Sequence, residues 1–319
     1  MYLDNNWYGN RYILSKYCNT KDTPALASIQ HGMLLSKFYE SDPILEKKVF
    51  GKRSFSLFFP WLVWNDNLFE KTQEFKSKNV ITIGAPIIYL DKILKKKKFS
   101  KPKGTLIFPS KSAWGVNMEV DYSKIYNFIK KKYKPPFTIA VSYFDLKRIF
   151  KIRHDFKNCK FVTFGKRNNK FFTLRLYKYL REHRSTVSFY PGSPILYSLF
   201  LRKKTYYFPE RFLKNVSGKF FTEKNTIELK KIKKEDILIE NIIKKEYSID
   251  LSNLNKKKYF INADIALGKN RMKNPKFIKK ILGWDSIFKI ILGILLYYIM
   301  NLKNYFNPFL PRRNNEKKN

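Results

Sequence analysis

Ser185-Thr-Val-Ser-Phe-Tyr-Pro-Gly-Ser-Pro-Ile-Leu-Tyr-Ser-Leu-Phe-Leu-Arg-Lys-Lys-Thr-Tyr-Tyr-Phe208 reads as a strand, a Gly-Ser-Pro turn, a short helix and a second strand. A helix that opens on Gly192-Ser193-Pro194 presents unpaired backbone N–H groups and a hydroxyl, with the positive end of its dipole behind them. Such an end is a site for an anion.

The same alternation continues upstream. Strands are expected at Ala25–Gln30, Ser56–Phe59, Val80–Ile83, Thr105–Phe108, Thr138–Ser142, Phe161–Phe164, Thr186–Phe189 and Thr205–Phe208, because short apolar runs there are bounded by turn residues. Helical patterns fall at Tyr122–Lys132, Asp145–Phe150, Phe171–Glu182 and Ile195–Leu201. Strand and helix in turn predict an α/β fold with parallel strands joined by right-handed crossovers. The Lys95–Lys103 run, closed by Pro102 and Gly104, reads as a linker between an N-terminal lobe (1–94) and a second lobe (104–262).

In such a sheet ligands collect past the carboxyl ends of the strands. The residues there are Ser110, Lys111 and Ser112; Tyr143 and Asp145; Gly165, Lys166 and Arg167; Gly192 and Ser193; and Glu210. Hydroxyls, cations, glycines and aromatics on one rim are what a phosphate-bearing, base-stacking ligand requires. Gln30-His31-Gly32 follows the first expected strand, so His31 stands in a tight turn and can serve as a general base. Gly84-Ala85-Pro86 is a second helix-opening turn, placed to face the first across a cleft.

The 319-residue chain has ample core material, with 44% hydrophobic and 17% aromatic residues, so disorder is not expected. Lys and Arg total 65 against 25 Asp and Glu, a formal charge of +40. That excess implies nucleic acid, an anionic membrane surface or a polyanionic substrate as partner. It also reflects a joint enrichment in Lys, Asn, Ile, Phe and Tyr. No RNP, zinc-finger or helix-turn-helix signature accompanies the charge, so no specific nucleic acid is expected. Cys18 and Cys159 stand apart without CxxC spacing, which points to a reducing cytoplasm and to no metal site. The first residues lack a basic region followed by an apolar run, so no signal peptide is expected.

From Pro275 to Phe306 one amphipathic helix is expected. Ile281, Trp284, Phe288, Ile291, Leu295, Ile299 and Leu302 share a face, flanked by lysines. Its clean apolar run is short for a spanning helix, so it either lies in a membrane interface or packs back on the fold.

The order of Tyr8-Gly9-x-Arg11, Gln30-His31-Gly32, Trp64-Asn65, Gly84-Ala85-Pro86, Gly104-Thr-Leu-Ile-Phe-Pro-Ser110, the Gly165 turn, Phe172-x-x-Arg175-Leu and Gly192-Ser193-x-x-x-Tyr197 resembles bacterial surface-polysaccharide glycosyltransferases of GT-B type. More distantly, it is similar to teichoic acid glycerophosphotransferases, whose Trp-His-Gly turn carries a proposed base. The resemblance covers Trp7 to Phe208. It implies two Rossmann-like lobes, a nucleotide sugar as donor substrate, a glycan or lipid-linked acceptor, no metal or other cofactor, and a cytoplasmic place peripheral to the inner membrane. His31 would then be the base, and Ser110, Lys111, Ser112, Gly165, Lys166, Arg167, Gly192 and Ser193 would hold the diphosphate. Gln30, Gly32, Gly84, Tyr143, Asp145 and Glu210 would complete the cleft. The chain departs from the pattern at Lys111, where a histidine is expected, and at Ser188-Phe189, where Ser-Asn often stands. Two other readings stay open: a catalytically degenerate glycan- or polyanion-binding protein, and a nucleic-acid-binding protein.

Overall fold

A computed structural model describes residues 7–33, 59–66, 79–110, 112, 117–152, 156–209, 212–217 and 229–306. A 3-10 turn at Trp7–Gly9 leads into α1 (Asn10–Tyr17). Three short parallel strands follow, β1 (Ser28–Ile29), β2 (Trp61–Val63) and β3 (Val80–Thr82), paired in that order. Helix α2 (Pro86–Leu94) packs against α1. The strand expected at Ser56–Phe59 falls almost wholly outside the described residues; the strand found nearby is Trp61–Val63.

The second sheet has five parallel strands: β4 (Thr105–Phe108), then, after β5 (Asn117–Val120), β6 (Phe137–Ala140), β7 (Cys159–Val162), β8 (Ser185–Ser188) and β9 (Lys204–Tyr207). Their spatial order is β7-β6-β4-β8-β9. Counted within this sheet the order is 3-2-1-4-5, the doubly wound arrangement, whose topological switch point lies between β4 and β8. The register pairs Phe108 with Ser188, Ala140 with Val162 and Ser188 with Tyr207, so the carboxyl ends finish in one row.

The crossovers are α3 (Tyr122–Lys132), α4 (Leu146–Ile152), α5 (Phe172–Glu182) and α6 (Ser193–Phe200). Helix α3 shows why these residues form a helix. Asp121 caps it by accepting the Lys124 N–H at 3.0 Å, Tyr122, Ile125 and Ile129 bury one stripe, and Lys130, Lys131 and Lys132 complement the negative end of its dipole. Alternation along β4 sends Leu106 and Phe108 to one side and Ile107 to the other, and the sheet carries a separate apolar cluster on each face.

The larger cluster does not stop at the sheet. It runs from Leu62, Trp64 and Ile83 of the first sheet through Leu106, Phe108 and Ala140 of the second, and on to Ile242, Ile243, Ile278 and Leu282. Ile242, Ile243, Tyr247, Leu251 and Tyr259, near the end of the second lobe expected from sequence, thus belong to this core. Helix α7 (Leu229–Tyr247), which comes after β10 (Leu213–Ser217), buries Ile242, Ile243 and Tyr247, and α8 (Lys257–Ala266) packs on α6. Strands β5 and β10 form an antiparallel pair; Asn117-Met-Glu-Val120 alternates polar with apolar residues, but over four residues only, and no strand was expected there.

The C-terminal helix is two helices. Helix α9 (Pro275–Leu282) starts on the Asn274 cap and ends at Gly283, whose φ of 72° is the left-handed conformation that stops a helix; Trp284 N–H turns back to Lys279 O at 2.8 Å. Helix α10 (Ile287–Phe306) then leaves in a new direction, bent by 50°. Among the described residues no single helix is long and apolar enough to cross a membrane.

Candidate functional site

A cleft opens at the carboxyl ends of β4, β6, β7 and β8, beside the switch point. Its larger chamber, of about 310 Å³, is lined by His31, Gly32 and Met33 from the first sheet's side and by Tyr190, Gly192 and Ser193 from the second. A smaller chamber of about 70 Å³ is lined by Ser112, Tyr143, Gly165, Lys166 and Arg167. Tyr8, Phe108, Phe164, Phe172 and Tyr190 belong to both, so the two form one continuous space with aromatic walls. Among the described lining residues there is no carboxylate.

The structure brings His31 and Gly192-Ser193 face to face. Ser193 Oγ accepts the Met33 N–H at 2.9 Å, which ties the turn after His31 to the first residue of α6. That helix, eight residues long with Pro194 in its first turn, directs its amide end at the same chamber.

His31 sits among tilted aromatic rings. Its ring centre lies 4.6 Å from that of Trp7 and 6.0 Å from that of Tyr8, and the Arg167 guanidinium sits 4.3 Å from the Trp7 ring. Burial, reinforced by the Arg167 charge, pushes the imidazole down from 6.5 to about 4, so the ring is neutral at pH 7. Lys166 lies 4.9 Å from the Tyr143 ring on the far side of the cleft.

The segment bearing Trp7 and Tyr8 is fixed by its backbone. Tyr8 accepts a hydrogen bond from Thr173 Oγ1 at 2.7 Å, and Gly9, at φ 74°, presses so closely on Lys170 that a Cβ would stand 2.1 Å from its carbonyl oxygen. Only glycine fits there. These aromatics were not singled out as site residues from sequence; the Tyr8-Gly9 pair, a glycine beside a bulky aromatic at a chain turn, was the available signal.

Several expected cleft residues have other positions. Gln30 is buried and does not line the cavity. Its Nε2 donates to Gly32 O at 2.7 Å, its Oε1 accepts the Trp64 N–H at 2.8 Å, and its carbonyl accepts from Asn10 Nδ2 at 3.1 Å. Gln30 therefore builds the turn that presents His31. Asp145 is likewise buried: it accepts from Ser112 Oγ at 2.7 Å and from Arg148 at 3.0 Å. It fixes the loop after β4, accepting also the Ser112 N–H at 3.2 Å.

Gly84 packs its backbone on Gly268, away from the cleft. Ser110 is buried, its hydroxyl has no hydrogen-bond partner among the described residues, and it does not line either chamber. Arg11 is paired with Asp22 at 2.7 Å. Lys111 and Glu210 lie outside the described residues. Among the described residues no three His, Cys, Asp or Glu side chains converge as metal ligands. No protein-family model and no curated protein matches this chain.

Proposed function

We propose that the chain is a glycosyltransferase of two-lobed GT-B type that moves a sugar from a nucleotide donor to a capsule, lipopolysaccharide or other surface glycan, peripheral to the cytoplasmic face of the inner membrane. One observation carries this reading: His31, Arg167, Lys166 and the amide end of α6 share one cleft, with no carboxylate among its described lining residues, at the switch point of a doubly wound sheet.

In this reading the diphosphate of the donor lies on Gly192-Ser193 and between Lys166 and Arg167, which offset the charge that grows on it as the sugar leaves. The aromatic walls exclude water and take the flat faces of base and sugar. His31 accepts the proton of the acceptor hydroxyl. A neutral ring with a conjugate acid near 4 is a weak base; burial is the larger cause, and an anion seated beside Arg167 cancels the smaller, coulombic part and so raises its basicity.

The test is transfer of a labelled sugar by the whole chain, alongside nucleoside diphosphate binding by calorimetry. His31→Ala should lower transfer by roughly 10²–10⁴-fold with donor affinity nearly unchanged, whereas Arg167→Ala should weaken nucleotide binding. Equal transfer by wild type and His31→Ala would remove the base. Steep, uniform loss of binding with salt and no preference among nucleotides would support instead a degenerate polyanion-binding protein.

A further inference from the structure

Helix α10 carries an apolar stripe on which, among the described residues, nothing is packed. Ile287, Phe288, Ile291, Leu295, Tyr298 and Ile299 are between 50% and 78% exposed. At about 100° per residue they fall within an arc of roughly 120°. Of the face expected from sequence, Phe288, Ile291, Leu295 and Ile299 are therefore outward, while Trp284 is buried with its Nε1 donating to Pro24 O at 3.4 Å.

The other side of the helix is committed to the body. Gly293 lies so close to Pro24 that a Cβ would stand 3.0 Å from its carbonyl oxygen, and Ile290 packs on the main core. Just before the bend, Leu26 N–H bonds to Leu282 O at 3.1 Å. The first two turns of the helix, about 30 Å long in all at 1.5 Å per residue, are thus held on the body with the apolar stripe turned out.

Charge selects the occupant. From Pro275 to Phe306 the sequence holds Lys276, Lys279, Lys280, Lys289 and Lys303 against one acid, Asp285, which is itself paired with Lys289 at 3.1 Å. Lys276 and Lys280 are exposed beside the bend. A second copy of a chain with formal charge +40 would meet like charge across such a face. An anionic bilayer supplies both the apolar layer and the opposite charge.

We infer that α9 and α10 form a docking face for an anionic lipid bilayer, with α10 lying in the plane of the membrane, its stripe among the acyl chains and the lysines at the headgroups. Crossing is disfavoured by the 50° bend and by the contacts with Pro24 and Leu26. The inference rests on the peripheral placement proposed above but not on the transfer chemistry, and its test uses no donor.

The whole chain is sedimented with phosphatidylcholine vesicles containing or lacking phosphatidylglycerol. Wild type should bind the anionic vesicles, and Phe288→Ser with Leu295→Ser should lower the partition coefficient by about tenfold or more, since both side chains are exposed and their loss leaves the fold intact. A Leu295→Cys variant carrying an environment-sensitive dye should shift to the blue on anionic vesicles, which attraction of lysines alone would not produce. Unchanged binding by the double variant, absence of wild-type binding, absence of the dye shift, or a stripe-dependent dimer in lipid-free light scattering would each overturn the inference.

Discussion

Acid should unfold this protein partly through one histidine. At pH 7.5 His31 is neutral whether the chain is folded or not. At pH 4.5 the unfolded imidazole, at its ordinary 6.5, is protonated, whereas the folded one, pushed down to about 4, is mostly neutral. The unfolded state then holds the extra proton, so stability falls as pH falls through this window. At about 1.4 kcal/mol per pH unit, the stretch from 6.5 to 4.5 is worth roughly 2–3 kcal/mol. His31→Gln removes the titrating group and keeps a planar polar side chain. Urea denaturation of both proteins at the two pH values isolates the effect, because the carboxylates and His183 titrate in each. Wild type should lose about 2–3 kcal/mol more than His31→Gln on acidification. Equal losses would show that the cluster of Trp7, His31 and Tyr8 does not exclude the proton, and the neutral base of the proposed mechanism would go with it.

Gly9→Ala should destabilise by at least 2–3 kcal/mol, roughly, since the left-handed φ of 74° and the approach to Lys170 both oppose a Cβ; the denaturant midpoint reads it. Asp145→Ala should cost about 2–4 kcal/mol, because Ser112 and Arg148 lose the buried acceptor they share, while Ser112→Ala should cost about 1 kcal/mol. As pH falls from 7 towards 5, pyrophosphate affinity measured by calorimetry should shift in favour of wild type over His31→Gln, because an anion beside Arg167 favours the protonated ring while the protonation of pyrophosphate itself is common to both proteins.

The second sheet was legible because its strands are short runs rich in apolar, β-branched or aromatic residues closed by turns, as Thr105–Phe108 is by Gly104 and Pro109. Tyr122–Lys132 was legible to the residue, since its cap, stripe and terminal lysines agree. Strands β5 and β10 were not: the polar-apolar alternation of Asn117-Met-Glu-Val120 is only four residues long, and the strand gains its partner from nearly a hundred residues away. The bend at Gly283 was hidden because hydrophobic periodicity runs through it unbroken. At the site, chain position alone did not separate Gly192 and His31, which face the cavity, from Gln30 and Asp145, which turn inward to hold backbone. Polar residues at strand ends look alike until their hydrogen bonds are known.

The apolar cluster that joins both sheets has a kinetic consequence. With Leu62 and Trp64 packed in the same mass as Leu106 and Phe108, the walls of the cleft cannot part without exposing that core. In the proposed function the nucleotide meets a cavity already in its final shape, with no slow closing step after the encounter. In stopped-flow mixing the observed association rate should climb in proportion to nucleotide concentration, with no plateau.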